Sequence, residues 1–296
     1  MEEKLLMKIL VTGGSGLLGQ ALMNIFRDEE ISGTYYQHPY KQKDLTYLDI
    51  TSGKDVMSLL QKIEPNVVIH TAALTDVDDC EENMQKATQI NVEGTRNLAT
   101  SAYQIGAKFV YVSTDYVFDG EKGWYTEEDT PAPINVYGET KLAGEKIVEQ
   151  ECRDFLIART SVIYGSAEGN FATWMLSQFS QGKQLSIVDD QYASPTYNRD
   201  LAEQLKALIE KDAQGIFHTA GGERMNRYEF ALKVADVFGF DTGLIKPVGM
   251  DTLKWIARRP HDSSLDTSKI TPFKKPYQIH HALRELNDEL RRNHSL

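Results

Sequence analysis

The sequence predicts an α/β protein, a doubly wound parallel sheet with a smaller C-terminal lobe. Three observations predict it. Short apolar runs alternate with helical patterns through the first half of the chain, at residues 8–12, 31–36, 66–71, 108–113 and 155–159. Two of these runs, Val67-Val68-Ile69 and Phe109-Val110-Tyr111-Val112, are apolar on consecutive residues, as in strands covered on both faces. A glycine-rich turn, Thr12-Gly13-Gly14-Ser15-Gly16-Leu17-Leu18-Gly19, follows the first run directly and opens a helical pattern over residues 18–26.

The remaining elements follow in order. Ser52 and Asp55 start a helix with Val56, Leu59, Leu60 and Ile63 on one face, and Pro65 stops it, so this segment is a crossover between strands. After about Tyr164 the alternation weakens and Gly and Pro punctuate the chain. Residues 1–164 are therefore expected to form the nucleotide-binding domain. Residues 165–296 are expected to form mainly a substrate lobe, with some segments returning to the first domain. Within that lobe Asn226 and Glu229 cap a helix whose apolar face is Phe230, Ala231, Val234, Ala235 and Phe238, and Gly239 closes it.

Composition narrows the function. With 41% hydrophobic and 25% charged residues over 296 positions, the chain can bury a large core. Its formal net charge of -11 would repel a phosphate backbone, so nucleic acid is not an expected partner. No apolar run reaches the roughly 20 residues that span a bilayer, and Met1 to Lys8 is too short and charged for a signal peptide; the expected compartment is the cytoplasm. The two cysteines, Cys80 and Cys152, form no ligand or CxxC spacing, and the seven histidines no HExxH pattern, so neither a disulfide nor a protein-held metal is expected. The acidic stretch Asp76, Asp78, Asp79, Glu81 and Glu82 lacks a calcium-loop pattern and reads as a solvated loop.

The glycine run points to a dinucleotide. Glycines at 13, 16 and 19 permit a tight turn and let backbone amides approach a pyrophosphate at the positive end of the following helix, with Ser15, Leu17 and Leu18 beside it. This is the NAD(P)-binding Rossmann arrangement. The acid that would hold an adenosine ribose is missing from Gly33-Thr34-Tyr35-Tyr36-Gln37-His38, while His38, Lys41 and Lys43 stand ready for a 2′-phosphate, which favours NADPH over NADH. Asp49-Ile50 and Thr71-Ala72-Ala73, at the ends of the third and fourth strand candidates, are expected against adenine and ribose, or as ordinary strand-end packing.

Tyr137 and Lys141 lie four apart and share one helix face. The lysine charge is expected to lower the tyrosine pKa, making the phenol a proton donor to a carbonyl oxygen as hydride arrives. Ser113, Thr114 and Asp115, at the carboxyl end of the fifth strand candidate, face the cleft. A hydroxyl from Ser113 or Thr114 would stabilise the developing alkoxide, and Asp115 would orient sugar hydroxyls or donate protons; the alternative is a plain turn. Asn91 would bridge backbone to Lys141 through water, or face solvent. Arg258 and Arg259 precede Pro260 and suit a nucleotide sugar's diphosphate or base, or a surface ion pair.

Together, TGGSGLLG at 12–19, STDYVFDG at 113–120 and YGETK at 137–141 resemble the extended short-chain dehydrogenase/reductases, and within them the dTDP-4-dehydrorhamnose reductase family. The likeness extends over Arg159-Thr160-Ser161, Asn170-Phe171, 190–196, Asp200-Leu201-Ala202 and 259–266. It implies Thr114, Asp115, Tyr137 and Lys141 as the catalytic set, with Lys141 also holding the nicotinamide ribose. Tyr116, Val162 and Arg259 would contact substrate, and the implied reaction reduces a sugar C4 ketone to give dTDP-L-rhamnose. Where that family carries a tryptophan after Arg-Thr-Ser, this chain has Val162. Some relatives dimerise around Mg2+, for which Glu285, Asp288 and Glu289 are the candidates here, and a homodimer is the expected assembly. Stretches at 127–133, 141–146 and 220–228 also resemble the regulatory β subunit of methionine adenosyltransferase, which implies instead a nucleotide-binding partner protein.

Overall fold

The computed structural model of the chain describes residues 6–39 and 45–292. Lys41 and Lys43, expected near a 2′-phosphate, lie outside the described residues. The chain runs β1 (Lys8–Thr12), α1 (Leu17–Ile25), β2 (Glu30–Tyr35), β3 (Thr46–Tyr47), α2 (Gly53–Ile63), β4 (Val67–His70), α3 (Val77–Glu82), α4 (Met84–Thr88), a π-helical turn (Gln89–Glu93) and α5 (Gly94–Gln104). It continues through β5 (Lys108–Thr114), α6 (Val136–Glu151), β6 (Phe155–Thr160), β7 (Ile163–Tyr164), α7 (Phe171–Ser180), β8 (Leu185–Val188), β9 (Tyr192–Ala193) and β10 (Thr196–Tyr197). Then follow α8 (Asn198–Glu210), β11 (Gly215–His218), β12 (Met225–Asn226), α9 (Arg227–Phe238), β13 (Ile245–Val248) and α10 (Ile279–Arg292).

Seven strands form one parallel sheet in the order β11-β6-β5-β4-β1-β2-β3. This is the doubly wound fold the alternation predicts. Side chains two apart face the same way: Ile9 and Val11 enter a core with Leu22 of α1, Phe26 just after it, and Leu205 and Ile209 of α8, while Leu10 enters the opposite core with Leu60 of α2, Leu98 of α5 and Val148 of α6. Each fully buried Leu or Ile contributes about 1.5–3 kcal/mol, and covering both faces explains the unbroken apolar runs. The chain changes direction at β1/β4, so the crevice above these strands' carboxyl ends is where this architecture receives a ligand.

Residues beyond 164 both build a second core and rejoin the sheet. Phe179 of α7, Phe230 and Val234 of α9, and Leu283, Leu286 and Leu290 of α10 pack together. Meanwhile α8 lies against α1, and β11 extends the sheet beside β6. The Asn226–Glu229 capping box forms as expected, and Gly239 ends α9 at φ 76°. Among the described residues no helix is long and apolar enough to cross a membrane.

The Mg2+ expectation is not supported. Glu285 accepts from Arg199 Nη1 at 3.1 Å, and Glu289 accepts from Ser166 Oγ and Tyr197 OH. These carboxylates are engaged by the protein itself, and among the described residues no group of His, Cys, Asp and Glu is arranged to hold a metal.

Candidate active site

A cavity of about 910 Å³ opens over the β1/β4 crevice and extends toward the second lobe. Its walls at the sheet end are Gly13, Ser15, Gly16, Leu17, Leu18 and Gly19 of the turn, Tyr36, Asp49 and Ile50 after β2 and β3, and Thr71, Ala72 and Ala73 after β4. Its walls at the other end are Ser113, Thr114, Asp115, Tyr116, Tyr137, Lys141 and Val162. Among the described residues expected at the site, Asn91, Arg258 and Arg259 do not line it.

The turn is shaped by sterics. Gly13 has φ 71°, and a Cβ on Gly19 would stand 2.1 Å from the Gly13 carbonyl oxygen, so a side chain there would force the turn apart. Gly16 sits at the N-cap of α1 with no side chain capping it and no acid in the first turn. The amides at this positive helix end are therefore left for an anion. Ser113 Oγ and Thr160 Oγ1, both buried on the cavity wall, have no hydrogen-bond partner. The turn's free amides and these two hydroxyls fit a dinucleotide with a ligand beyond it. No carboxylate follows β2 within residues 33–38, and His38 lines the wall there.

Helix α6 carries the reactive pair. Its N-cap Asn135 accepts from Gly138 N at 2.8 Å and donates to the Arg258 carbonyl at 2.9 Å. Gly138 lets the helix start press on the turn after β5, since a Cβ there would fall 2.1 Å from the Tyr116 carbonyl oxygen. This close approach brings Tyr137 edge-on to Tyr116, ring centroids 6.0 Å apart. One turn later Lys141 Nζ donates to the Val112 carbonyl at 2.7 Å and lies 4.1 Å from the Tyr111 ring centroid.

The electrostatics correct one expectation. Burial pushes the Tyr137 phenol well above its ordinary pKa, and the group that draws it back is the Thr114 hydroxyl, not Lys141. Burial brings Lys141 itself down to about 7, against the pull of Glu145. Beneath it His70 stays neutral, pushed down to about 3 by burial and the Lys141 charge, its ring nitrogens bonded to Thr12 Oγ1 at 2.8 Å and Thr95 Oγ1 at 3.2 Å.

Asp115 is more occupied than the sequence suggests. Its carboxylate accepts from Thr114 Oγ1 at 3.0 Å, Ser161 Oγ at 2.7 Å and Ser263 Oγ at 2.6 Å, and burial raises its pKa against those three hydroxyls. It ties the ends of β5 and β6 to the C-terminal segment while keeping an edge on the cavity.

Asn91 and Arg259 are corrections. Asn91 lies in the π-helical turn, buried, where both its amide hydrogens are used by the Leu74 carbonyl and Thr140 Oγ1 and its oxygen accepts from Leu74 N. It pins the loop after β4 and does not face solvent. Arg259 Nη1 pairs with Asp78 at 3.0 Å and with the Ala257 carbonyl, and the residue does not line the cavity. Sequence reasoning missed Arg227, which follows the Asn226 cap and does line the cavity; nothing in local spacing marks it. Val162 sits on the wall at φ 39°, a left-handed backbone unusual for a β-branched residue, held by Thr196 N donating to its carbonyl at 3.1 Å.

Comparison with known proteins fits this geometry. Residues 7–292 match the family model described as the RmlD substrate binding domain. The chain belongs to the RmlD substrate binding domain family. A crystal structure of dTDP-4-dehydrorhamnose reductase from Bacillus anthracis in complex with NADP superposes with a TM-score of 0.89 at 32% identity, covering 96% of this chain and 99% of that one. The dTDP-4-dehydrorhamnose reductase of Aggregatibacter actinomycetemcomitans is 34% identical over 275 residues, 89% of this chain and 92% of that protein. Methionine adenosyltransferase 2 subunit beta of Rattus norvegicus is 33% identical over 284 residues, 90% of this chain and 85% of that protein. Both resemblances read from the motifs are thus present. The family member described here is built as an NAD(P)-dependent oxidoreductase of the extended short-chain dehydrogenase/reductase fold.

Proposed function

We propose that this protein is an NADPH-dependent reductase of the C4 ketone of a nucleotide-linked deoxysugar, with dTDP-4-dehydrorhamnose as substrate and dTDP-L-rhamnose as product. One observation carries the reading: the helix pair Tyr137 and Lys141 opens into the same cavity as the uncapped glycine turn, beside the unpartnered Ser113 hydroxyl. A dinucleotide would be held by the turn's amides and Lys141, and its nicotinamide supplies hydride when bound. Tyr137 gives its proton to the carbonyl oxygen, and its high pKa keeps it protonated until charge develops there. The Ser113 hydroxyl, which has no partner of its own, bonds the same oxygen and stabilises it. Asp115, already held by three hydroxyls, fixes Thr114 in place. The enzyme would work in the cytoplasm on a soluble sugar nucleotide.

The direct test is NADPH and NADH oxidation followed at the nicotinamide absorbance with dTDP-4-dehydro-6-deoxy-L-mannose. Turnover with NADPH preferred is the expected result. A second reading is favoured by the 33% identity to a methionine adenosyltransferase β subunit. Absence of turnover with any nucleotide-linked 4-ketosugar, together with binding to a methionine adenosyltransferase catalytic subunit, would favour that one instead.

The glycine turn offers a separate check. Gly19→Ala should weaken NADPH binding by at least about 10-fold and cost roughly 1–3 kcal/mol of stability, because the new Cβ overlaps the Gly13 carbonyl. Fluorescence titration of the nicotinamide and urea denaturation measure the two effects; unchanged affinity would take the turn out of the cofactor site.

A further inference from the structure

Arg227 is the one guanidinium among the described residues lining the cavity, and no carboxylate among them pairs with it. The other cations on the wall are engaged: Lys86 pairs with Asp79 at 2.8 Å, and Lys141 is held by the Val112 carbonyl and the Tyr111 ring. Arg227 is also oriented. Its Nε donates to Gln191 Oε1 at 2.5 Å, and its Cζ stands 5.2 Å from the Phe171 ring centroid. Gln191 is buried, and its amide donates to Tyr116 OH at 3.3 Å and the Pro260 carbonyl at 3.5 Å.

That chain of contacts has a direction. Tyr116 meets the Tyr137 ring, so Arg227 stands two side chains away from the proton donor, on the second-lobe side. With Nε spent on Gln191, the two terminal nitrogens are left to form a planar fork, the geometry that grips a phosphate through two parallel hydrogen bonds. Arg227 is also the first residue of α9, where a cation opposes the positive end of the helix and costs about 0.3–1 kcal/mol, a placement that an anionic ligand would relieve.

We propose that Arg227 anchors the diphosphate joining nucleoside to sugar, with Gln191 as the group that aims it. The proposal rests on the nucleotide-sugar reading above. A sugar placed with its ketone on Tyr137 directs its anomeric diphosphate away from the sheet, and Arg227 is the cation waiting on that side.

The test is calorimetric binding of dTDP, UDP and GDP to the NADPH-loaded protein, in wild type, Arg227→Gln and Arg227→Lys, with NADPH affinity measured in each. The expected result is loss of nucleoside diphosphate affinity on the order of 10- to 100-fold in Arg227→Gln, with partial recovery in Arg227→Lys and NADPH binding unchanged. Equal affinity in wild type and Arg227→Gln overturns the proposal and leaves the nucleotide-sugar reading intact. Wild type that binds NADPH but none of the three diphosphates overturns both. A parallel loss of NADPH binding in both variants assigns Arg227 to the architecture of the cavity and overturns the proposal as well.

Discussion

Tyr137→Phe is expected to bind NADPH with unchanged affinity and to turn over roughly 10²- to 10⁴-fold more slowly. The substitution removes one oxygen and keeps the ring, so the edge contact with Tyr116 at 6.0 Å and the packing of α6 remain. What disappears is the proton source. The phenol is buried, its pKa is raised, and the hydroxyl nearest it belongs to Thr114, which is already committed to Asp115. Lys141 stands one helical turn away, with Nζ donating to the Val112 carbonyl at 2.7 Å. Single-turnover kinetics with NADPH in excess measure the effect. Turnover within a few-fold of wild type would remove Tyr137 from the reaction, and loss of NADPH binding instead would make it a cofactor contact.

The parts of this molecule legible in its sequence are those governed by short-range rules. Val67-Val68-Ile69 reads as a buried strand because both faces of β4 are covered. The glycines at 13, 16 and 19 mark the turn because backbone overlap at Gly19 is a local matter. Ser52 and the Asn226–Glu229 box mark helix starts because a cap bonds within three residues. Tyr137 and Lys141 are visible because four residues make one helical turn.

What escaped depends on distant partners. The second lobe's strands β7, β9, β10 and β12 are two residues long, too short to show a period, and exist because β10 finds β7 and β12 finds β9. Arg227 and Arg259 look alike in sequence. They are separated by Asp78, some 180 residues from Arg259, which neutralises it, and by Gln191, which aims Arg227 into the cavity. Asn91 looked free because Leu74 and Thr140, its partners, come from other elements. Asp115 likewise reads as a free carboxylate until Ser161 and Ser263 are folded onto it.

Glu145→Ala is expected to cost about 3–5 kcal/mol of stability. Glu145 lies one helical turn beyond Lys141 on α6, and its carboxylate meets Arg159 of β6 with both oxygens, from Nε at 3.0 Å and Nη2 at 2.7 Å. Side-chain exposures of 2% and 3% mean that neither charge has water to fall back on. Removing the carboxylate strands a buried guanidinium whose Nη1 already lacks a partner and whose remaining neighbour is the Phe118 ring at 5.2 Å. The paired variant Glu145→Leu with Arg159→Met should recover most of that loss, since a well-packed apolar pair of similar volume removes the desolvation cost along with the attraction. Urea unfolding of the two single variants and the double variant measures this, and additive losses would show that the pair is not coupled. The same series carries a pH signature. His218, buried with neither ring nitrogen bonded to a side chain, is pushed down to about 3 by burial and then by the Arg159 charge. In wild type the unfolded chain therefore takes up this proton first, and stability falls as pH drops from about 6.5 toward 3. In the Glu145→Leu, Arg159→Met double variant both charges of the pair are gone, His218 titrates higher in the folded state, and the decline should be shallower; an unchanged slope would mean burial alone sets it.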